Sequence, residues 1–416
     1  MLLEFSVTNF LSFKNKVTFS MLGNSSNVLE DNFCLKRNKK ILKTAAIYGA
    51  NASGKTNLFY VLKAVVSMLA NSNNSNPNSP LPITPYKLDK KSKKSPSEFE
   101  IKFIAEEIEY VYGFKADYKQ IYEEYLYSYP EGKQTKIFDR TNVNKYSFTA
   151  REKNKLKEIE IKNTPNKFFL ATATAWNYDK TKPAYEFLTN NIVVCFSVEN
   201  LKRIALKKYD DDQDEKLKTF ALNSLEQADM NIIDYEVTKF DLSEGFFSKI
   251  SENSLPSELL TTYQVNFTHK GENEGKLSFD EESKGTQILF YLIPFIAQSI
   301  NDSSVLIIDE LDRSLHPYLT RKIIELFNNK EINKKSSQLI FNTHDTNLLN
   351  LDILRRDQIW FTEKDNQTGY SDLYCLSDFS VRKDENIEKG YMLGKYGAVP
   401  FIQSDINLWD INEIEK

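Results

Sequence analysis

One eight-residue segment constrains the fold of this chain more than any other. Residues 49–56 read Gly-Ala-Asn-Ala-Ser-Gly-Lys-Thr and match the pattern G-x-x-x-x-G-K-[ST]. Glycine lets the backbone turn tightly, so that successive backbone N–H groups can surround a phosphate. In that arrangement the lysine reaches the β- and γ-phosphates and the threonine hydroxyl binds Mg²⁺. We therefore predict nucleotide contacts at Gly49, Asn51, Ala52, Ser53, Gly54, Lys55, Thr56 and Asn57, with Thr56 also a metal ligand.

The segments on either side of this loop fit a phosphate site better than a chance polar turn. Residues 45–48 form a short apolar run that is typical of a buried parallel strand. After the loop, apolar residues recur at helical spacing: Leu58, Leu62, Val65, Val66 and Leu69. A helix that begins at the loop directs its positive end at the phosphates.

Two further apolar runs end in polar residues. Residues 305–310 read Val-Leu-Ile-Ile-Asp-Glu, and ligands bind at the carboxyl edge of parallel strands. We predict that Asp309 holds Mg²⁺ and that Glu310 orients the attacking water or accepts its proton. The run that ends before Thr343 predicts a neighbouring strand, which makes His344 a candidate γ-phosphate contact.

Residues 283–287 read Ser-Lys-Gly-Thr-Gln at the start of an apolar helical run. Serine is a good helix N-cap, and the first turn of a helix can also bind a phosphate. An ordinary capped helix explains the segment equally well, so both interpretations stay open. The candidate residues are Ser283, Lys284, Gly285 and Gln287.

Composition narrows the class of protein. The net charge of −4 excludes a global basic footprint for nucleic acid, although local basic patches stay open. The three cysteines form no C-x-x-C pair and there are three histidines, which argues for a reducing compartment and against a structural zinc site. The N-terminus has no basic region, and the apolar stretch at 288–300 is too short to span a bilayer. We expect a cytoplasmic protein with no membrane partner.

The remaining segments predict the domain organisation. Alternating residues in 3–21 predict an antiparallel hairpin, and 217–228 and 234–240 predict a helix and a strand. Residues 71–97 form a loop that is rich in Asn, Ser, Pro and Lys and contains five lysines. We interpret this loop as a solvated tip, and a contact with nucleic acid or a protein partner is the alternative. The predicted units are an ATPase core (1–70 and 276–416), a flexible loop (71–97), a β-meander (98–148) and an insertion or lid (149–275).

These segments, in this order, resemble the ABC-type ATPase heads of the RecF/SMC/OLD group. The resemblance makes Gly49–Thr56 the Walker A motif, Ser283–Gln287 the signature motif, Val305–Glu310 Walker B, Leu311–His316 the D-loop and His344 the switch histidine. It implies an α/β P-loop NTPase that binds ATP and Mg²⁺, with an antiparallel β-subdomain and a mixed, mainly helical insertion. The chain departs from the pattern because its signature lacks paired glycines, and because His316 stands at the usual D-loop aspartate position.

Several strings are more similar to AAA-family ATPases of the RloA/AbiL type, found in bacterial phage-defence operons. They are NFLSF, YGANASGKTNL, IIDELDRSLHP, NTHDTNLL and YMLGKYGAVPFI. The resemblance implies a homodimer or higher homo-oligomer that holds ATP between Walker A of one subunit and Ser283 of another. It also implies an effector from an adjacent gene, a RloB-like or DUF4435-like Toprim nuclease.

Two functions stay open at this point. The first is an ATPase sensor or regulator of a phage-defence (abortive infection) system that controls a separately encoded toxic effector. The second is a RecF-like DNA-binding ATPase in repair or replication, which makes DNA a further candidate partner. A GTPase is disfavoured because no N-K-x-D motif occurs, and no D-x-D of a Toprim nuclease follows His344.

Overall fold

The computed structural model describes residues 1–196, 201–228, 230–241, 261–382 and 385–400. The parts of the predicted insertion and core that fall at 197–200, 229, 242–260, 383–384 and 401–416 lie outside the described residues.

In chain order the strands are β1 (Leu2–Thr8), β2 (Val17–Ser20), β3 (Phe33–Lys36), β4 (Lys39–Leu42), β5 (Thr44–Tyr48), β6 (Ser97–Ala105), β7 (Ile108–Ala116), β8 (Ile121–Tyr129), β9 (Thr135–Thr141), β10 (Lys145–Phe148), β11 (Ile192–Cys195), β12 (Ile232–Asp241), β13 (Thr261–His269), β14 (Gly275–Ser278), β15 (Val305–Ile308), β16 (Gln338–Asn342), β17 (Ile359–Lys364) and β18 (Ser371–Cys375). The helices are α1 (Lys55–Asn71), α2 (Lys153–Glu160), α3 (Phe169–Ala175), α4 (Lys182–Asn190), α5 (Lys202–Asp210), α6 (Lys216–Gln227), α7 (Lys284–Asp302), α8 (Pro317–Asn328) and α9 (Ile387–Met392). Within this described part of the chain, none of the helices combines the length and hydropathy that crossing a bilayer requires.

A six-stranded sheet carries the predicted nucleotide motifs, in the order β11-β15-β16-β5-β17-β18. Its strands are parallel except for β18. The strands β5, β15 and β16 are buried along their whole length, as central strands covered on both faces should be. Because these three strands are parallel, the segments that follow Tyr48, Ile308 and Asn342 meet at one edge of the sheet.

The two faces of this sheet contact different parts of the chain. Ala45 and Ile47 on β5 pack into a core shared with α1 and the antiparallel sheet. Ala46 and Tyr48, which alternate with them, pack into a second core with α7 and α8. The predicted stripe of α1 is buried at Leu58, Leu62, Val65 and Leu69.

A seven-stranded antiparallel sheet has the order β10-β9-β8-β7-β6-β1-β2. The predicted N-terminal hairpin and the predicted meander join in this one sheet, because β1 pairs with β2 on one side and β6 on the other. A buried ion pair supports its far end, with Arg140 Nη1 3.6 Å from Glu124 Oε2. Burial raises the pKa of Glu124, while Arg140 acts in the opposite direction.

The region from 149 to 275 differs from the insertion expected from the sequence. Its strand β11 pairs in parallel with β15, so Ile192–Cys195 extend the core sheet. Residues 192–195 form a short apolar run like those at 45–48 and 305–308, but neither a glycine-rich loop nor a pair of acids follows it, so the sequence analysis did not assign it to the core sheet. The predicted helix and second strand are present as α6 and β12, and β12 joins β13 and β14 in a three-stranded sheet.

The segment from 71 to 97 is anchored over part of its length. Leu81, Ile83 and Tyr86 are buried, and the backbone N–H of Leu81 donates to the carbonyl oxygen of Tyr118 at 2.8 Å. The second half of this segment is therefore partly buried, whereas its composition led us to expect a wholly solvated loop.

Candidate nucleotide-binding site

The loop between β5 and α1 has no room for side chains at its two glycines. Gly54 adopts a φ of +117°, and a Cβ there would lie 2.5 Å from Ser371 Oγ. A Cβ at Gly49 would collide with the carbonyl oxygen of Thr362. Ser53 Oγ and Thr362 Oγ1 share a hydrogen bond of 2.6 Å, which fixes the loop on β17. The loop therefore has the tight, glycine-dependent backbone that a phosphate cradle requires.

Lys55 begins α1 and folds back over the loop. Its Nζ donates to the carbonyl oxygens of Gly49 at 2.7 Å and Ala50 at 3.1 Å. Burial lowers the pKa of Lys55, while Asp309 and Glu310 act in the opposite direction. A phosphate oxygen is a stronger acceptor for an ammonium group than a carbonyl oxygen, so this side chain can exchange one for the other.

The structure joins the metal-binding candidates from the two motifs. Thr56 Oγ1 donates to Asp309 Oδ1 and Oδ2, both at 3.1 Å, across 253 positions of sequence. Hydroxyl and carboxylate oxygens are the hard ligands that Mg²⁺ prefers, so these two residues fit that ion. Burial raises the pKa of Asp309, and its hydrogen bonds from Asn342 and Thr56 lower it.

Asn342 is a site residue that the sequence analysis missed. Its side chain is fully buried, Nδ2 donates to Asp309 Oδ1, and Oδ1 accepts from the backbone N–H of Glu310 at 2.5 Å. Glu310 has a φ of +54°, which is uncommon for a residue other than glycine, and its side chain is exposed. Asn342 therefore holds the Asp309 carboxylate and the backbone at Glu310, and its local signal in the sequence is an amide at the end of an apolar strand, two residues before His344.

His344 lies at the same edge of the sheet and is exposed. Its backbone N–H donates to Asp312 Oδ2 at 3.2 Å, which ties the segment after β16 to the segment after β15. His316, at the usual D-loop aspartate position, instead caps α8, because its Nδ1 accepts from the Tyr318 N–H at 3.2 Å. Asp312 is thus the acid of the predicted D-loop that contacts the histidine segment.

The predicted signature residues form the first turn of α7. Ser283 Oγ accepts from the Thr286 N–H at 3.1 Å, and Ser283 is exposed. Gln287 Nε2 donates to the carbonyl oxygens of Phe279 and Glu282, and Lys284 Nζ donates to Gln287 Oε1. A Cβ at Gly285 would lie 3.0 Å from the carbonyl oxygen of Ser314.

In the described residues, the side-chain hydrogen bonds of Ser283, Lys284 and Gln287 stay within this turn and the residues just before it. The structure therefore does not bring this turn to the phosphate loop of the same chain. The resemblance to ABC-type heads assigns the contact to a second subunit.

The loop between β1 and β2 also contacts the candidate site, and the sequence analysis did not assign this contact. Asn57 Nδ2 donates to Ser12 Oγ at 2.8 Å, and the Ser371 N–H donates to the Ser12 carbonyl oxygen at 2.8 Å. Ser12 thus supports the first turn of α1. Because it lies 45 positions from Asn57 and 359 from Ser371, local sequence patterns do not reveal the contact.

Residues 45–350, nearly three quarters of the chain, match the family described as "AAA domain, putative AbiEii toxin, Type IV TA system". The chain belongs to this family. The match begins in β5 and ends beyond His344, so it spans all of the predicted nucleotide motifs. With the phosphate loop between β5 and α1 and the antiparallel sheet beside it, this AAA-family chain has the predicted α/β fold of an ABC-type ATPase head.

The chain is also similar to solved SMC head structures. The "SMC head domain from Thermotoga maritima" shares 14% identity with a TM-score of 0.41, over 90% of this chain and 98% of that chain. An SmcHead bound to the C-winged helix domain of ScpA shares 17% identity with a TM-score of 0.42, over 90% and 97% of the two chains. An Smc head domain bound to the C-terminal domain of ScpA, derived from Pyrococcus furiosus, shares 14% with a TM-score of 0.38, over 95% and 98%. No curated protein matches this sequence.

Proposed function

We propose that this protein binds ATP and Mg²⁺ at the loop between β5 and α1, hydrolyses ATP, and uses this cycle as a switch. One observation supports the proposal above the others. Thr56, Asp309, Asn342 and the backbone of Glu310 form a continuous chain of hydrogen bonds at the carboxyl edge of the sheet. This chain sets a nucleophile-activating acid beside a pair of Mg²⁺ ligands at the mouth of a phosphate loop.

Each residue then has a defined task in hydrolysis. Lys55 donates to the terminal phosphates, and Thr56 and Asp309 supply oxygen ligands to the metal. When bound by these residues, Mg²⁺ would neutralise charge on the phosphates. Glu310 orients the attacking water and accepts its proton, and its exposed side chain leaves it accessible to water. His344 contacts the γ-phosphate from the neighbouring strand.

The switch requires two copies of the chain. Ser283 is exposed at the start of a helix, where backbone N–H groups of the first turn can bind a phosphate. Two subunits would close with ATP between the phosphate loop of one and Ser283 of the other. Hydrolysis would remove the shared γ-phosphate, and the subunits of the closed dimer or higher homo-oligomer would then separate.

The biological role that fits this switch is the sensor or regulator of a phage-defence system. The description of the family names a toxin and a toxin–antitoxin system, and the RloA/AbiL-like strings agree with such a role. The ATPase would hold or release a toxic effector encoded by an adjacent gene, with a Toprim nuclease of the RloB-like or DUF4435-like type as the candidate. Copurification of the two gene products from coexpressing cells tests this role, and separate elution in every nucleotide state would contradict it.

The Lys55→Ala variant tests nucleotide binding. We expect its affinity for ATP to fall about 100-fold, because losing a charged hydrogen bond costs up to about 3 kcal/mol and each 1.4 kcal/mol is tenfold. The measurement is a titration with a fluorescent ATP analogue. Lys63→Ala is the matched control, since Lys63 lies on the same helix and is exposed. Equal affinity in the two variants would refute the role given to Lys55.

A further inference from the structure

A group of lysines on the segment between α1 and β6 has no part in the ATPase cycle proposed above. We define the lysine surface as Lys87, Lys90, Lys91, Lys93 and Lys94. All five residues are exposed. In the described part of the chain, the ion pairs that lysines form involve other lysines, among them Lys14 with Asp89 and Lys115 with Glu98. Five positive charges therefore lie within eight residues of a chain whose net charge is −4.

The backbone that carries the lysine surface is held in place by buried polar contacts. Asn9 is buried, and its Nδ2 donates to the carbonyl oxygens of Ser92 and Ser95, both at 2.9 Å. Asp89 Oδ2 accepts from the backbone N–H and the hydroxyl of Ser92, both at 2.8 Å. The single acid among residues 87–94 is thus engaged by Ser92 and by Lys14, at 3.7 Å. A fixed backbone lowers the entropy cost of binding through these lysines.

The lysine surface and the phosphate loop rest on the same support. The Leu11 N–H donates to the Thr84 carbonyl oxygen at 2.9 Å, and Tyr86 OH donates to the carbonyl oxygen of Thr368 in the β17–β18 turn. Ser12, which follows Leu11 in the β1–β2 loop, accepts a hydrogen bond from Asn57 on α1. The β1–β2 loop therefore connects the lysine surface to the first turn of the helix that begins at the phosphate loop.

We propose that the lysine surface binds the phosphate backbone of double-stranded DNA. Lysines contact phosphates without reading bases, so binding would be independent of sequence and sensitive to salt. Lysine is depleted in the cores of protein–protein interfaces, which disfavours an ordinary protein partner. Single-stranded DNA is bound by stacking its bases on exposed aromatic residues, whereas Tyr86, the aromatic residue next to the lysines, is buried.

This inference goes beyond the proposed ATPase function, because phosphate contacts at the lysine surface do not require nucleotide hydrolysis. The test compares two quadruple variants of the full chain. The surface variant carries Lys90→Gln, Lys91→Gln, Lys93→Gln and Lys94→Gln. The control variant removes the same charge at exposed lysines elsewhere: Lys133→Gln, Lys153→Gln, Lys157→Gln and Lys334→Gln.

The measurement is fluorescence anisotropy of a labelled duplex of random sequence over a range of salt concentrations. We expect the surface variant to lose at least about tenfold in affinity, and the slope of log affinity against log salt to fall by about one for each phosphate contact removed. The control variant should match the wild type, and both variants should bind ATP normally. Equal affinity and slope in the two variants, no binding by the wild type at low salt, or tighter binding of the separated single strand would each overturn the proposal.

Discussion

Asn342 sets the geometry of the two acids on which the proposed chemistry depends. It is fully buried and makes two hydrogen bonds, one to the Asp309 carboxylate and one from the backbone of Glu310. A buried amide with both ends satisfied holds a single orientation. Asn342 acts through Asp309 and Glu310, so we regard it as a positioning residue.

We expect Asn342→Ala to raise the Mg²⁺ concentration that hydrolysis requires, without changing ATP binding in the absence of the metal. The variant should need about tenfold more Mg²⁺ for half-maximal rate, because a hydrogen bond to a charged group is worth at least about 1.5 kcal/mol and about 1.4 kcal/mol is tenfold. ATPase assays over a series of Mg²⁺ concentrations provide the measurement.

Asn328→Ala is the matched control for a purely structural effect. Asn328 is also buried, and its Oδ1 accepts from Thr44 Oγ1 at 3.1 Å at the opposite end of β5 from the phosphate loop. If both variants shift the Mg²⁺ requirement equally, Asn342 has no positioning role.

The sequence predicted the residues of this site that belong to local patterns. Lys55 and Thr56 follow from an eight-residue motif, and Asp309 follows from an apolar run that ends in acids. Asn342 and Ser12 could not be predicted in the same way. Their partners are brought near by strand pairing across the whole chain, and a single polar residue at a strand end or in a loop has no distinctive spacing.

At the scale of elements, α7 is the part of the structure whose proposed role depends most on a second subunit. Its first turn is exposed at Ser283, and the side chains of Lys284 and Gln287 bond within the same turn or to the residues just before it. The turn also packs on the predicted D-loop, because Gly285 leaves room for the Ser314 carbonyl oxygen. An isolated chain gives this helix start no phosphate to bind.

We expect Ser283→Arg to block ATP-dependent dimer formation while leaving ATP binding by the single subunit intact. An arginine at this position would place bulk and a charge where the partner's nucleotide must approach. Light scattering with and without ATP, with Ser283→Arg combined with the hydrolysis-deficient Glu310→Gln substitution, measures the fraction of dimer.

Asn154→Arg on α2 is the control, since it adds the same side chain at another exposed helical position. An ATP-bound dimer of normal stability in Ser283→Arg would show that Ser283 is only a helix cap.

Element prediction succeeded where a long periodic pattern or an adjacent site motif marked the element, and failed where a short run had neither. The α1 stripe and the alternating strands β6 to β8 extend over nine residues or more, so their patterns were clear. The four residues of β11 gave no pattern, although they form an edge of the core sheet. Strand order in that sheet, with β16 between β15 and β5, is set by packing of distant segments.

At the scale of the whole molecule, the two cores connect the nucleotide edge to both surfaces of the protein. One face of the central sheet packs with α1 and the antiparallel sheet, and the other packs with α7 and α8. The strands that end at the carboxyl edge therefore contact elements on opposite sides of the sheet. This arrangement is suited to an ATPase whose output is a change of assembly.

In the proposed cycle, ATP closes two subunits and Glu310-dependent hydrolysis releases them. Glu310→Gln keeps the size of the side chain but removes the base, so it should bind ATP and stall before hydrolysis. Glu331→Gln, at an exposed acid after α8, is the control.

The decisive measurement is the molar mass of Glu310→Gln by light scattering in ATP and Mg²⁺, with its ATPase rate recorded in parallel. We predict a stable closed dimer and a rate at least about 100-fold below that of the wild type, because a general base contributes about 10²- to 10⁴-fold to a reaction rate. The Glu331→Gln control should turn over ATP normally. A Glu310→Gln protein that hydrolyses ATP at the wild-type rate, or that stays monomeric with ATP bound, would contradict the proposed cycle.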